Sequence, residues 1–165
     1  MSALVHIPVG VVVERRKATS PWIDYVWRPV LVLAGVPDTA PWTPLAVAND
    51  AATFYAGHAD VALHRSDTSH YRDNLATGAP LLWVALRPTG DEPPYEILMV
   101  TASPPEGEAL TEPSTDLVET VPMPDAVRDA VAAFVAEYHV EQTFYKRKRD
   151  KATPGRLAPM REDEP

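Results

Sequence analysis

The chain has no cysteine. That excludes disulfides, thiol catalysis, thiolate zinc sites and cysteine-held iron–sulfur clusters. Glycine is scarce, with seven residues in 165 against eighteen prolines. No glycine-rich phosphate loop, dinucleotide fingerprint or Gly-x-Ser-x-Gly elbow is present. The sequence therefore carries no positive sign of an enzyme, although catalytic groups assembled only in space leave no such sign. Lysine is scarcer still: there are four, and three of them (Lys146, Lys148, Lys151) fall in one run. No apolar stretch approaches the ~20 residues of a membrane span. The opening MSALVHIPVGVVVERRK has an apolar run but neither a basic stretch before it nor a small-residue cleavage site. It reads as a strand rather than a secretory signal, and the cytoplasm is the expected location.

Charge is partitioned along the chain, whose formal net charge is -8. Residues 1–90 hold seven bases and seven acids, and residues 91–141 hold twelve acids against the single base Arg128. Residues 142–165 reverse the balance with seven bases and four acids. FYKRKRDK (144–151) packs five bases into the six residues from Lys146 to Lys151. A basic tail on an acidic body either folds back on that body or reaches an acidic partner.

The prolines punctuate the chain, because proline cannot donate to a sheet ladder and breaks helix interiors. HIPVGVVVERR (6–16) reads as a strand with Ile7, Val9, Val11 and Val13 on one face. DYVWRPVLVLAGV (24–36) reads as a second, with VLVL (30–33) suggesting burial on both faces and Pro29 a bulge or an edge. PDTAPWTPL (37–45) reads as a loop, and TFYAGHADVALHR (53–65) as a third strand. SDTSHYRDNLATG (66–78) suits a short helix that packs Tyr71 and Leu75 down and stops at Gly78. PLLWVALRP (80–88) and YEILMVTAS (95–103) suit a hairpin, PPEGEALTE (104–112) one or two helical turns, and DLVETVPM (116–123) a last strand. PDAVRDAVAAFVAEYHV (124–140) is the clearest helix, with an apolar stripe of Val127, Val131, Phe134, Val135 and Tyr138. The expected fold is α+β: a curved, mostly antiparallel sheet of about six strands backed by the C-terminal helix. Residues 1–145 are expected to form one globular domain and residues 146–165 an exposed charged tail.

Two sets of residues are candidates for binding. Trp22 and Trp42 each follow a proline in a loop, and such loops lose little entropy when they bind. With Phe144, Tyr145, Lys146, Arg147, Lys148 and Arg149 they form the candidate contact with a protein partner. The bland reading gives the tryptophans to core and loop anchoring, and the tail to a solvated terminus. Nucleic acid fits poorly, since the acidic body repels phosphates and few aromatic residues interleave the bases. The second set is Arg28, His64, Arg65, Tyr71 and Arg72, whose guanidinium groups suit a phosphorylated ligand. His58, Asp60 and His64 are metal-ligand types on one strand face. An extended strand holds His58 and His64 about 20 Å apart, and His64 with His70 across the following turn is geometrically easier, but a lone surface histidine is commoner than either, and no metal site and no cofactor is assigned.

IPVGVVVERR (7–16), SPWIDYVWRPVLVL (20–33), APWTPL (40–45), FYAGHADVALHRSDTSHYRDNL (54–75), LLWVALRP (81–88) and HVEQTFYKRKRDK (139–151) together resemble a bacterial family known as domain of unknown function 3305. The resemblance covers almost the whole chain and attaches no catalytic residue to it. It implies a setting: genes beside those of molybdenum-dependent formate dehydrogenases and a chaperone for such enzymes. That setting implies an accessory role in formate dehydrogenase maturation. Some members of the family are labelled molybdopterin-guanine dinucleotide biosynthesis proteins. A nucleotidyltransferase of that kind needs a glycine-rich nucleotide loop, which this sequence does not contain.

Overall fold

The computed structural model of the protein describes residues 3–140. Phe144 to Arg149, and with them the basic run, lie outside the described residues. The elements in chain order are β1 (Val5–Lys17), β2 (Tyr25–Ala34), β3 (Thr43–Ala48), β4 (Ala51–Leu63), α1 (Thr68–Ala76), β5 (Leu81–Pro88), β6 (Tyr95–Thr101), α2 (Pro104–Leu110), β7 (Leu117–Pro122) and α3 (Asp125–Tyr138). A 3-10 turn, Arg65–Asp67, leads into α1.

The strands form two antiparallel sheets, where the sequence suggested a single sheet of about six strands. The larger runs β2-β1-β4-β3 and the smaller β6-β5-β7. Both are antiparallel throughout. β7 comes alongside β2, and β6 alongside β4. β3 was read as loop because prolines crowd it; Pro44 is tolerated there because β3 is an edge strand.

Alternation along β1 sends Val9, Val11 and Val13 into a shared core with Val61 and Leu63 of β4 and Leu82, Val84 and Leu86 of β5. Two bulges tune the large sheet. On β2 the pairing slips between Leu31 and Pro29, beside the proline that signalled it. On β4 it slips between Gly57 and Tyr55. Gly57 there has φ 128°, a conformation that side-chain-bearing residues rarely adopt. VLVL is not buried on both faces: Leu31 is 45% exposed, since β2 is an edge and its outer face is open.

The C-terminal helix keeps its stripe, with Val127, Val131 and Phe134 buried. It packs chiefly on α1, where Phe134 meets Tyr71 edge to face with ring centroids 6.1 Å apart. α1 is tied to the small sheet by the buried Asn74. Its Nδ2 donates to the carbonyls of Leu81 (2.8 Å) and Ala102 (3.0 Å), and its Oδ1 accepts from the Leu81 N–H (3.0 Å). Among the described residues no helix is long and apolar enough to cross a membrane.

Candidate docking groove

The strands of the large sheet outrun the small one. β1 and β4 are 13 residues each, against 8 for β5 and 7 for β6. The inward face of the large sheet therefore continues beyond Val13. Alternation carries Arg15 onto that face. Register places Trp27 opposite Arg15, and Phe54 opposite Val13. Tyr25, two residues before Trp27, shares its face.

These side chains form one cluster. Trp27 meets Trp42 edge to face at 6.0 Å, Phe54 at 5.7 Å and Tyr95 at 6.2 Å. Trp42 lies 6.3 Å from Phe54. Trp42 reaches the cluster from the segment before β3 with φ 68°, and its N–H donates to the Tyr55 carbonyl. A non-glycine residue in that conformation costs on the order of 1–3 kcal/mol and persists only where its surroundings hold it. The Arg15 guanidinium carbon sits 4.3 Å from the Tyr25 ring centre, 5.2 Å from Phe54 and 5.8 Å from Trp27.

The opposite wall is the tip of the β5–β6 hairpin. There the Thr89 hydroxyl donates to the Pro93 carbonyl (2.6 Å) and accepts from the Asp91 N–H (3.1 Å), which fixes the turn. Between tip and sheet runs an open groove of about 500 Å³, lined by Arg15, Tyr25, Trp27, Trp42, Phe54, Glu92, Pro93 and Pro94. Tyr25 of the lining is itself exposed, and in the connection that precedes it Trp22 is 91% exposed. An open groove walled by aromatic side chains is the kind of apolar surface that marks a binding site.

The residues singled out from the sequence divide between this groove and other places. Trp42 is a wall of the groove, whereas Trp22 is an exposed residue of the β1–β2 connection that does not line it. Arg28 lies elsewhere: its Nε donates to Glu14 (3.3 Å), which also takes Arg16 (3.1 Å). Arg28 is level with Thr53 of β4, eleven residues before His64. At ~3.3 Å per residue that separation is on the order of 30 Å, so one small ligand cannot touch both. Arg65 stacks on Tyr138 at 5.1 Å and lines a second cavity of about 360 Å³ with Ser66, Thr68, Ser69, His139 and Val140. In its wall Thr68 Oγ1 and His139 Nδ1 are 3.0 Å apart. Tyr71 is buried, and its hydroxyl accepts from the His64 N–H at 2.9 Å. Burial, opposed by that hydrogen bond and reinforced by Asp67 and Glu106, pushes its pKa up to about 12. It cannot serve as a general base at neutral pH. Arg72 is exposed on α1. Among the described residues no three of His, Asp and Glu are placed to hold a metal.

Sequence reasoning missed Arg15, Tyr25, Trp27, Phe54 and Tyr95. A signal existed: Arg15 continues the 7-9-11-13 alternation, so a cation stood where the pattern calls for an inward residue.

The model of the family described as Protein of unknown function (DUF3305) matches residues 8–148, and the chain belongs to that family. No curated protein and no solved structure matches it.

Proposed function

We propose that this DUF3305 protein is a non-catalytic accessory protein that works in the cytoplasm by protein–protein contact, with the aromatic groove as its docking surface. The observation that carries the reading is the groove itself, with Trp27, Trp42 and Phe54 packed on one another and Arg15 laid over Tyr25, Trp27 and Phe54. Aromatic and arginine side chains are the types that dominate binding energy at interfaces. The family resemblance supplies the class of partner: a maturing molybdenum-dependent formate dehydrogenase or one of its maturation factors. The basic run from Lys146 to Lys151 adds a second, electrostatic contact to an acidic partner. The test is affinity purification of the tagged protein from its native host, beside Trp27→Ala and a chain ending at Val140. Formate dehydrogenase subunits or their chaperone should be recovered with the parent chain and depleted with each variant. Undiminished recovery with Trp27→Ala removes the groove from the reading.

A second reading is a small enzyme or carrier that handles a phosphorylated molybdopterin-type cofactor. It is favoured by the cavity where Arg65 stands beside the hydroxyls of Ser66, Thr68 and Ser69. A bound pterin released from the purified protein, and lost in Arg65→Ala, would support it.

A further inference from the structure

We infer that the groove takes an extended, proline-containing segment of a partner protein, with an Asp or Glu side chain of that segment seated on Arg15. The inference rests on the protein-contact reading and names the chemistry of the contact.

The first observation is the state of Arg15. Its guanidinium lies against three rings, yet among the described residues it makes no hydrogen bond and no ion pair. The neighbouring carboxylate, Glu14, is already engaged by Arg16 and Arg28. Stacking fixes the plane of a guanidinium and leaves its edge donors pointing outward. A planar acceptor that meets that edge with two oxygens is a carboxylate. The rings exclude water from one side of the pair, which strengthens it relative to an exposed ion pair.

The second observation is what the walls are made of. Tyr25, Trp27, Trp42, Phe54, Pro93 and Pro94 line the groove with rings whose polar atoms are two indole N–H donors and one phenol hydroxyl, so backbone carbonyls find donors there but backbone N–H groups find almost no acceptor. An extended segment lying there buries its own N–H groups without partners, and each such loss is unfavourable. Proline has no N–H, and its fixed φ reduces the entropy lost on binding. Aromatic-lined grooves recognise polyproline-II segments on this principle.

The third observation is charge at the far wall. Glu92 faces the groove from the hairpin tip, in a part of the chain where acids outnumber bases twelve to one. A basic side chain or free N–H of the segment belongs at that wall and the acid at Arg15, which sets the direction of the segment. Nucleic acid is disfavoured by the same acids. A carbohydrate needs several polar groups around each ring, and only Arg15 and Glu92 line the groove with charge.

The test uses the full chain and two blocked peptides, acetyl-Pro-Pro-Glu-Pro-Pro-amide and the same peptide with Gln in place of Glu. The indole N–H signals of the four tryptophans are followed by NMR. The Glu peptide should move the signals of Trp27 and Trp42, leave buried Trp83 in place, and bind about tenfold more tightly than the Gln peptide. Arg15→Gln, shown to be folded by a cooperative melting transition and an unmoved Trp83 signal, should erase that tenfold difference. Equal affinity for the two peptides overturns the carboxylate assignment and leaves the protein-contact reading standing. Absence of any shift with either peptide overturns the inference. If recovery of partners is also undiminished in Trp27→Ala, the groove reading fails with it. Movement of the same indoles by maltotetraose or a phosphorylated pterin, with no response to peptide, assigns the groove to that ligand class instead.

Discussion

Replacing Tyr71 by Phe separates a structural hydroxyl from a ligand-binding one. The Tyr71 ring is 1% exposed, and its oxygen is the acceptor for the His64 N–H at 2.9 Å. Tyr71→Phe keeps the ring and orphans that donor, which costs about 1–3 kcal/mol at neutral pH. The cost should then depend on pH. The folded pKa of Tyr71 is about 12, above its ordinary 10.0. A group raised in the folded state stabilises fully below its unfolded pKa, and that contribution is lost as pH rises toward the folded value. By pH 11 the unfolded chain has shed the proton and the folded chain has kept it. The parent protein has then lost about 1.4 kcal/mol that the Phe variant never had. Urea unfolding at pH 8, 10 and 11, followed by tryptophan fluorescence, should show the gap between parent and variant narrowing by that amount. A gap that stays constant from pH 8 to 11 would refute the argument, because the hydroxyl would then titrate alike in both states. A Tyr71 that binds a ligand from a cleft would also give a constant gap.

The other expectations concern packing, the exposed face and the rim. Asn74→Ala should cost about 3 kcal/mol or more in urea unfolding, because three hydrogen bonds joining α1 to the small sheet lose their partner at once. A Cβ at Gly107 of α2 would fall within the Trp83 ring, so Gly107→Ala should lower stability by roughly 1–3 kcal/mol and shift Trp83 emission. Trp22→Ser should leave the melting temperature unchanged, within about 0.5 kcal/mol, while reducing partner recovery. At position 42 the usual order should invert: Trp42→Gly should be about 1 kcal/mol more stable than Trp42→Ala, since only glycine adopts φ 68° without strain. Equal stabilities would show that the backbone relaxes once the ring is gone.

The local elements were legible because local rules produced them. The Ile7–Val13 alternation, the Pro29 bulge, the stop at Gly78 and the stripe on α3 all depend on residues within a few positions of one another. Division into two sheets was not legible, since it depends on which strand edges meet, and β2 with β7 are some ninety residues apart. β3 was hidden because Pro41 and Pro44 read as loop, and only the strand's place at an edge makes Pro44 tolerable. Trp42 was noticed for its neighbour Pro41 and proved part of the groove. Its ring neighbours Trp27 and Phe54 were not, because pairing across three strands brings them together. The residues proposed for a phosphorylated ligand were grouped by type, and type says nothing of the separation between Arg28 and His64.

The position of the groove follows from strand length. A sheet that outruns its opposing layer must still put side chains on its inward face. If solubility were the only demand, that overhang would carry small polar residues, since exposed aromatic surface favours association. Here it carries Tyr25, Trp27 and Phe54, with Trp42 brought in from another segment. The rings pack on one another before any ligand arrives, so less side-chain freedom remains to be lost on binding. A left-handed Trp42 at the rim is the local strain that such an arrangement entails, offset by the contacts that hold it. The same rings hold the Arg15 guanidinium over them with its donors unengaged among the described residues.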